Sequence, residues 1–446
     1  MPLSTSTLGV FGQSPRLNGL YTQLCFIFPL QNMDNDTPRV IETTLCKGLE
    51  RLRQHIPWVG GNVVLSSSGI YEVQFSGSAP TLIVKDLTTT LPGYNEIRQA
   101  GFPFSMLDEK IIAPCPTLPC GHQDSTPVFM VQANFVEFGL LLVFAAQHNC
   151  LDLHGQVQLI EHFAKACRDE DFKHDELAVA NLLSIDIGTH HIGRVVTPRI
   201  EPEAQSTNLP EVDVQDPEDF HANIWAYFQF SGASLRRLKD IANRDKFAKF
   251  ISTDDALSGL LWQAVLRSRQ SRLGPDETFS KFERQVNART HVEVPSAYLG
   301  NMVYKSQTHL PIVDVLERSL GQLSSYLRNS LEPDPSIEYQ MRDAATRLQE
   351  ELGTRPTDVG TRQKLPLTDI RLSSWAQGKC YDLGFGDRLG KPEAVRRPSF
   401  EAWEGLAYFM PKDRNGGIAV AICLQEDDLT KLRHDEAFSS FSTYIG

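Results

Sequence analysis

The chain has 446 residues, a formal net charge of -12, and a composition that is 41% hydrophobic and 22% charged. This length exceeds what one hydrophobic core usually organises, so two globular domains are expected. The acidic balance gives no electrostatic basis for a nucleic-acid partner, and no apolar run reaches the ~20 residues of a membrane-spanning helix. The N-terminus lacks a secretory pattern and the cysteines stand mostly in apolar contexts, so a reducing cytoplasm is the expected location.

The first half of the chain alternates between strand and helix patterns. Residues 20–30 predict a buried strand, and residues 37–56 predict an amphipathic helix that ends at the following proline. Two further strands are expected within residues 62–75. Residues 127–147 then predict a pair of strands, and residues 155–170 predict an amphipathic helix. His148 therefore stands between a strand and a helix, a usual place for reactive groups.

The second half begins after a polar, proline-bearing stretch at residues 198–220, which we interpret as a linker. The chain is accordingly divided into a domain of residues 1–197 and one of residues 221–446, with residues 365–410 as a segment able to cross to the first domain. Four helical patterns and two late strands follow the linker, at residues 232–245, 253–270, 311–331, 335–353, 399–411 and 416–425.

The stretch AAQHNCLDLHG, residues 145–155, places His148 four residues before Asp152. A neutral imidazole with an ordinary pKa of ~6.5 can accept a proton from an attacking hydroxyl and return it to a leaving group. Asp152 has two readings, since it can hold the imidazole tautomer or bind a cation elsewhere and fix the loop. The spacing alone leaves both open, and this pair also arises by chance at strand ends.

Three later blocks accompany this motif. ISTDDALSGLLWQAVLRSR begins at residue 251 and places Ser252 or Thr253 at a helix cap, and VNARTHVEVPSAYLGNMV begins at residue 286. LSSWAQGKCYDLGFGDRLGKPEAVRRP begins at residue 372 and contains a glycine-rich turn.

Together the four blocks resemble the BAHD acyltransferases, an acyl-CoA-dependent family with an H-x-x-x-D-G-type motif in mid-chain and a D-F-G-W-G motif near the C-terminus. The similarity covers nearly the whole chain and points to the fungal branch that includes trichothecene 3-O-acetyltransferase. Two departures stand out: Gly155 follows the aspartate by three residues, and Leu383 and Phe385 occupy aromatic positions of the second motif. Asp382, Gly384 and Gly386 match it.

The resemblance implies an α/β (α+β) fold of two chloramphenicol-acetyltransferase-like domains, each a mixed sheet with flanking helices, and a channel between them. It also implies a CoA-dependent O-acyltransferase with acetyl-CoA or another acyl-CoA as co-substrate and no metal. The acceptor is expected to be a small alcohol from secondary metabolism, such as a terpenoid, polyketide or alkaloid. We expect a monomer with no nucleic-acid or membrane partner.

The same resemblance assigns roles to individual residues. His148 becomes the general base, and Asp152 supports the loop through an ion pair with Arg289. Ser373 becomes the donor to the oxyanion of the tetrahedral intermediate, and Trp375 shapes the pocket beside it. Four residues are expected to be architectural, and these are Gly155, Asp382, Gly384 and Gly386.

An acidic protein that binds CoA needs a local cationic rim for the phosphates. Lys246 and Lys249 are the candidates for that rim, and Ser252, Thr253 and Ser374 are the candidates for contacts with the pantetheine or phosphate groups. A second basic cluster, Lys391 with Arg396 and Arg397, is interpreted as bracing the glycine-rich turn.

Other interpretations remain open at this point. On chemistry alone His154 and the pair His190 and His191 are alternative bases, and Cys115, Cys120 and His122 form a weak metal-binding pattern that lacks a second ligand cluster. The same histidine would also serve an N-acyltransferase or a family member repurposed for dehydration or cyclisation. A non-catalytic binding protein is the remaining alternative.

Overall fold

The computed structural model describes residues 3–31, 36–119, 123–188, 222–333, 335–352 and 364–446. Within these residues the strands are β1 (Ser4–Thr7), β2 (Tyr21–Pro29), β3 (Asn62–Leu65), β4 (Tyr71–Phe75), β5 (Thr81–Asp86), β6 (Ser125–Pro127), β7 (Phe129–Val136), β8 (Gly139–Gln147), β9 (Asn223–Phe230), β10 (Phe279–Asn287), β11 (Val303–Pro311), β12 (Ile370–Ser374), β13 (Ala394–Arg396), β14 (Leu406–Phe409), β15 (Ile418–Gln425) and β16 (Ser442–Tyr444).

The helices of the same residues follow in chain order. They are α1 (Thr37–His55), α2 (Tyr94–Gln99), α3 (Glu109–Ile112), α4 (Leu153–Cys167), α5 (His174–Ala180), α6 (Gly232–Ala242), α7 (Thr253–Arg269), α8 (Ile312–Glu317), α9 (Leu320–Asn329), α10 (Ile337–Glu350), α11 (Glu426–His434) and α12 (Glu436–Ser439).

The described strands form three sheets. A five-stranded mixed sheet has the order β13-β2-β8-β7-β5, and a seven-stranded mixed sheet has the order β11-β10-β12-β14-β15-β9-β16. A smaller antiparallel sheet has the order β1-β4-β3-β6. The predicted mixed α/β class is confirmed.

Two apolar clusters pack against the large sheets, and the first also includes side chains of β9, β14 and β15 from the seven-stranded sheet. Helix α1 buries Ile41, Leu45, Leu49 and Leu52 at helical spacing, and it packs against α4 beside the five-stranded sheet. Helices α6, α7, α9 and α11 pack on the seven-stranded sheet around a second cluster of buried side chains. Full burial of one such leucine contributes about 1.5–3 kcal/mol, so these cores hold the sheets in fixed positions.

The segment from β12 to β14 visits both large sheets. Strand β12 lies between β10 and β14 in the seven-stranded sheet, whereas β13 pairs antiparallel with β2 of the five-stranded sheet. The chain thus crosses over and back within residues 370–409. The domain limits at residues 197 and 221 stay a prediction, and residues 198–220 lie outside the described part of the chain.

One predicted helix was wrong in its extent. The pattern at residues 311–331 contains two helices, because the backbone at Arg318 is extended and Ser319 begins α9 with a capping box closed by Gln322. Among the described helices, none combines the length and apolar composition needed to cross a membrane.

Candidate active site

His148 lies directly after β8 and is held there by its backbone. Its N–H donates to the carbonyl of Leu20 at 2.8 Å, and its own carbonyl accepts from the Asn301 amide at 3.2 Å. The next residue, Asn149, is buried and donates to the carbonyl of Ser14 at 3.1 Å. The backbone at His148 is therefore fixed from three sides, while its side chain stays partly exposed.

The ring of His148 has one edge against the protein and one edge without a partner among the described residues. Its Nδ1 edge faces the loop that carries Asn301, whose amide nitrogen lies 3.5 Å from Nδ1. Nε2, at the far end of the ring, makes no hydrogen bond with a described residue. Burial lowers the pKa of the imidazole from its ordinary value. A backbone hydrogen bond and the charge of Asp152 offset part of this, and the charge of Arg397 adds a smaller lowering. A neutral imidazole is the form that accepts a proton.

Asp152 turns away from the histidine and binds Arg289. Its Oδ2 accepts from Arg289 Nη1 at 2.8 Å and its Oδ1 accepts from Nη2 at 3.0 Å, and both residues are buried. The same carboxylate caps α4 through the N–H of Gly155 at 2.8 Å and accepts the N–H of Met302 at 2.9 Å. Asp152 therefore joins the loop after β8 to the loop that carries Asn301.

Arg289 is bonded on every side of its guanidinium. Besides the carboxylate, it donates to the carbonyls of Tyr298 and Gly300 and to the side chain of Asn287. A buried ion pair is stable only when such additional bonds satisfy its donors and acceptors. Here they do, so the pair is a rigid structural brace.

Gly155 is required by close packing. It lies within the first turn of α4, and a Cβ there would come within 1.9 Å of the carbonyl oxygen of Leu299. A glycine is therefore needed at residue 155 because the loop before Asn301 comes so close to the helix there.

Ser373 and Trp375 lie on one face of β12 and just beyond it. The Ser373 hydroxyl accepts from Trp375 Nε1 at 2.9 Å, which leaves its own proton available for another acceptor. Trp375 is buried in the same apolar cluster as Cys150 and Leu151, the residues between His148 and Asp152. No hydrogen bond joins His148 to Ser373 among the described residues.

The CoA candidates gather at the start of α7. Ser374, on the opposite face of β12 from Ser373, donates to Asp254 at 2.5 Å and so ties the strand end to the helix start. Ser252 is committed to a capping box with Asp255, whereas Thr253 begins the helix. The structure therefore makes Ser252 a helix cap first.

The two candidate lysines lie on the loop before α7. Lys246 Nζ donates to the carbonyl of Lys249 at 3.4 Å, and Lys249 is exposed and forms no ion pair with a described residue. They lie seven and four residues before Thr253, the first residue of α7, where the helix dipole also favours an anion. Their CoA role stays a prediction.

The glycine-rich turn lies in the core of the five-stranded sheet. Phe385 contacts the rings of Phe26, Phe28, Phe144 and Phe163 at centroid distances of 5.7–5.9 Å. Gly386 has a φ of 96°, a conformation that favours glycine.

Two polar groups of this turn make outside contacts. Gly384 offers its carbonyl to Arg168. Asp382 is exposed and makes only a loose ion pair with Lys391, at 3.8 Å. The turn is thus packed into the apolar core through Phe385.

Of the alternative bases and the metal-binding pattern, the structure describes only some residues. His154 bonds the carbonyl of Ser296 at 3.1 Å and Gln158 at 2.8 Å, so its ring is used in packing α4 against the neighbouring loop. Four of the residues raised in these alternatives lie outside the described part of the chain, namely Cys120, His122, His190 and His191. Cys115 is described and half-buried. Within the described residues no group of three metal-ligating side chains comes together.

Sequence reasoning did not single out two residues near the site. Asn301 donates to the carbonyl of His148, and the charge of Arg397 lowers the pKa of the His148 imidazole. Asn301 was visible only as part of the block that carries Arg289, and Arg397 only as one member of a basic cluster.

Comparison with known proteins places this geometry in context. The Transferase family matches residues 109–439, and the trichothecene 3-O-acetyltransferase-like N-terminal domain matches residues 20–167. O-acetyltransferase dmxR13 of Cryptosporiopsis sp. (strain 8999) is 38% identical, over 98% of this chain and 97% of that protein. Trichothecene 3-O-acetyltransferase TRI101 of Fusarium sporotrichioides is 35% identical, over 98% of this chain and 97% of that protein.

Solved structures give the same picture. F. graminearum TRI101 complexed with coenzyme A and deoxynivalenol superposes with a TM-score of 0.88 at 33% identity, and the match covers 99% of this chain and 100% of that chain. Vinorine synthase matches with a TM-score of 0.65 at 15% identity, over 99% of this chain and 98% of that chain, which shows a shared fold.

Proposed function

This chain belongs to the BAHD-type Transferase family, and from that premise we propose that it transfers an acetyl group from acetyl-CoA to a hydroxyl of a small secondary metabolite, with His148 as general base. It is an acyl-CoA-dependent acyltransferase. The observation that carries the catalytic assignment is the partly exposed His148 ring, which hydrogen bonds of its backbone hold at the end of β8 and whose Nε2 bonds no described residue.

The chemistry needs one proton acceptor and one oxyanion donor. Nε2 of His148 takes the proton of the acceptor hydroxyl as that oxygen attacks the thioester carbonyl, and the C–S bond then breaks as the proton passes to the CoA thiolate. Binding both substrates together makes the attack intramolecular, so no acyl-enzyme is required. In this proposal Ser373 donates to the developing oxyanion. The Trp375 N–H donates to the Ser373 oxygen, which leaves the Ser373 hydroxyl proton for the oxyanion.

The remaining residues position these groups. Asp152 and Arg289 fix the loop that presents His148, and Asn301 holds its carbonyl. The proposed contacts of the CoA phosphates and pantetheine are Lys246, Lys249, Thr253 and Ser374, because these residues lie around the start of α7. Ser374 binds Asp254 of that helix and follows Ser373 in β12.

The test combines acetyl-CoA with a panel of hydroxylated terpenoids, polyketides and alkaloids, including deoxynivalenol, which the F. graminearum structure contains. Release of free CoA thiol and the mass of the product report transfer. We expect an acetyl ester with at least one acceptor class and a loss of about 10²–10⁴-fold for His148→Ala.

The matched control is His154→Ala, which removes a histidine from the same segment and should retain most of the activity. Near-normal turnover by the His148→Ala protein would overturn the mechanism. Failure of CoA to raise the unfolding temperature would overturn the co-substrate assignment itself.

A further inference from the structure

Arg397 is a buried arginine whose guanidinium bonds no described residue. The residue is 4% exposed and its Nε is buried without a hydrogen-bond partner. Only its backbone is bonded, because its N–H donates to the Tyr227 hydroxyl at 2.8 Å and its carbonyl accepts from that hydroxyl at 3.2 Å. A buried charge without a bonded partner is costly, so the observation calls for an explanation.

Aromatic rings surround the guanidinium. Its central carbon lies 5.4 Å from the ring of Trp375, 4.3 Å from that of Phe400 and 4.6 Å from that of Tyr408. Ring faces stabilise a cation, but they leave the in-plane N–H donors of the guanidinium unused. The cage therefore holds Arg397 in place and keeps its hydrogen-bonding edge available.

This cage adjoins the proposed reaction centre. Trp375, one wall of it, donates to Ser373, and Tyr408, another wall, pairs with Ser373 in the register of β12 and β14. Three titratable groups sense the charge of Arg397, namely His148, Glu109 and Tyr227. Burial lowers the pKa of His148 and Arg397 lowers it further, whereas burial raises the pKa of Glu109 and Arg397 opposes that effect.

Glu109 does not supply the missing partner. Its carboxylate accepts from the N–H of Thr117 at 2.8 Å and from the Gln23 amide at 3.4 Å, and it makes no ion pair with Arg397. The backbones of the two segments lie side by side, since the N–H of Glu109 donates to the carbonyl of Ser399 at 3.1 Å.

The adjacent arginine differs from Arg397 at its terminal nitrogens, although its Nε is likewise buried without a hydrogen-bond partner. Arg396 is also buried, and it donates to the carbonyl of Val395 at 3.1 Å and to that of Gly101 at 3.3 Å. Of two neighbouring arginines, one bonds backbone carbonyls through its terminal nitrogens, and the guanidinium of the other bonds no described residue.

We propose that Arg397 binds an anionic oxygen group of the acceptor, a carboxylate or an ionised phenol. A planar guanidinium pairs with such oxygens through parallel hydrogen bonds, and the ion pair would repay the desolvation of the arginine. The inference rests on the proposed function and names its acceptor class: a molecule that carries an acidic group on the same skeleton as the hydroxyl to be acetylated.

The experiment uses benzoate and benzamide as probes, since they share a shape and differ in charge. Thermal unfolding of the whole chain is followed with each probe and, in a separate arm, with coenzyme A. Benzoate should raise the unfolding temperature of the unmodified protein and benzamide should not. Arg397→Gln should lower the affinity for benzoate, obtained from the unfolding temperatures, at least about tenfold, while the matched Arg396→Gln protein keeps its affinity.

Each result has one meaning. Equal responses to benzoate and benzamide in the unmodified protein would overturn the inference, whether or not any variant folds. Undiminished benzoate binding by Arg397→Gln would also overturn it. So would an equal loss of benzoate binding in Arg396→Gln and Arg397→Gln. Arg397→Lys replaces the glutamine variant if that variant does not fold. It keeps the positive charge but lacks the planar guanidinium, so it should bind benzoate only weakly. Coenzyme A should stabilise the unmodified protein, and its failure would contradict the proposed function instead.

Discussion

Asp152 and Arg289 lie 137 positions apart in the chain and meet in a buried, two-pronged ion pair with N–O distances of 2.8 and 3.0 Å. The carboxylate that holds the arginine also caps α4 and accepts the N–H of Met302. One side chain thus fixes the loop after β8, the start of a helix and the loop that carries Asn301. The position of His148 depends on all three.

Asp152→Asn should destabilise the protein by about 3–5 kcal/mol, because it leaves the buried charge of Arg289 without a counter-charge. Chemical denaturation measures this loss, and kcat should fall in the folded fraction as His148 loses its support. Asp169→Asn is the control, since Asp169 pairs with Arg51 at 3.1 Å but its side chain is 93% exposed. Equal unfolding midpoints for the two variants would contradict the brace.

Gly155→Ala tests the packing between α4 and the Asn301 loop. A Cβ would lie 1.9 Å from the backbone oxygen of Leu299, so the loop must shift. Overpacking of this kind costs about 1–3 kcal/mol, and we expect a lower kcat as well. Gly274→Ala is the matched control, because its nearest atom lies at 3.9 Å. An alanine at residue 155 with unchanged stability would show that the loop yields freely.

The sequence predicted those elements whose periodicity is strong. The strands β2, β7 and β8 and the helices α1 and α4 lie within a few residues of their predicted limits, because apolar residues repeat there with little interruption. By contrast β5 and β13 were missed. Each is short, and each exists through pairing with a distant partner, β7 and β2 respectively, which no local pattern contains.

The candidate site shows the same division. The Asp152 and Arg289 pair was expected from family resemblance and not from spacing, which left two readings of Asp152 open. Arg396 and Arg397 are identical and adjacent in sequence. Only the fold distinguishes the arginine with carbonyl partners from the one without them.

Ser373→Ala should lower kcat by about 10²–10³-fold with little change in the KM for acetyl-CoA, because an oxyanion donor acts chiefly in the transition state. Ser374→Ala is the contrast. It breaks the bond to Asp254 at the start of α7 and should act mainly on the KM for the acyl donor. Steady-state kinetics of both proteins separates the roles, and matching kcat and KM changes in the two would contradict the assignment.

Lys249→Glu should raise the KM for acetyl-CoA far more than the KM for the acceptor, because only the acyl donor carries phosphates. Added salt should raise the first KM in the unmodified protein and have less effect in the variant. Lys173→Glu, at another exposed lysine in the first half of the chain, is the control. Equal changes in both KM values would place the CoA phosphates elsewhere.

The pH dependence of kcat/KM tests the state of His148 in the free enzyme. A general base works when neutral, so activity is lost as pH falls through its folded pKa. Burial holds that pKa below the ordinary value, so the acid limb should have its midpoint below about 6.5. Arg397→Gln removes a positive charge that lowers the pKa further, and its midpoint should therefore move upward. Rate profiles of the two proteins provide the measurement. A midpoint above the ordinary histidine value, or a downward move in the variant, would mean that another group controls the reaction.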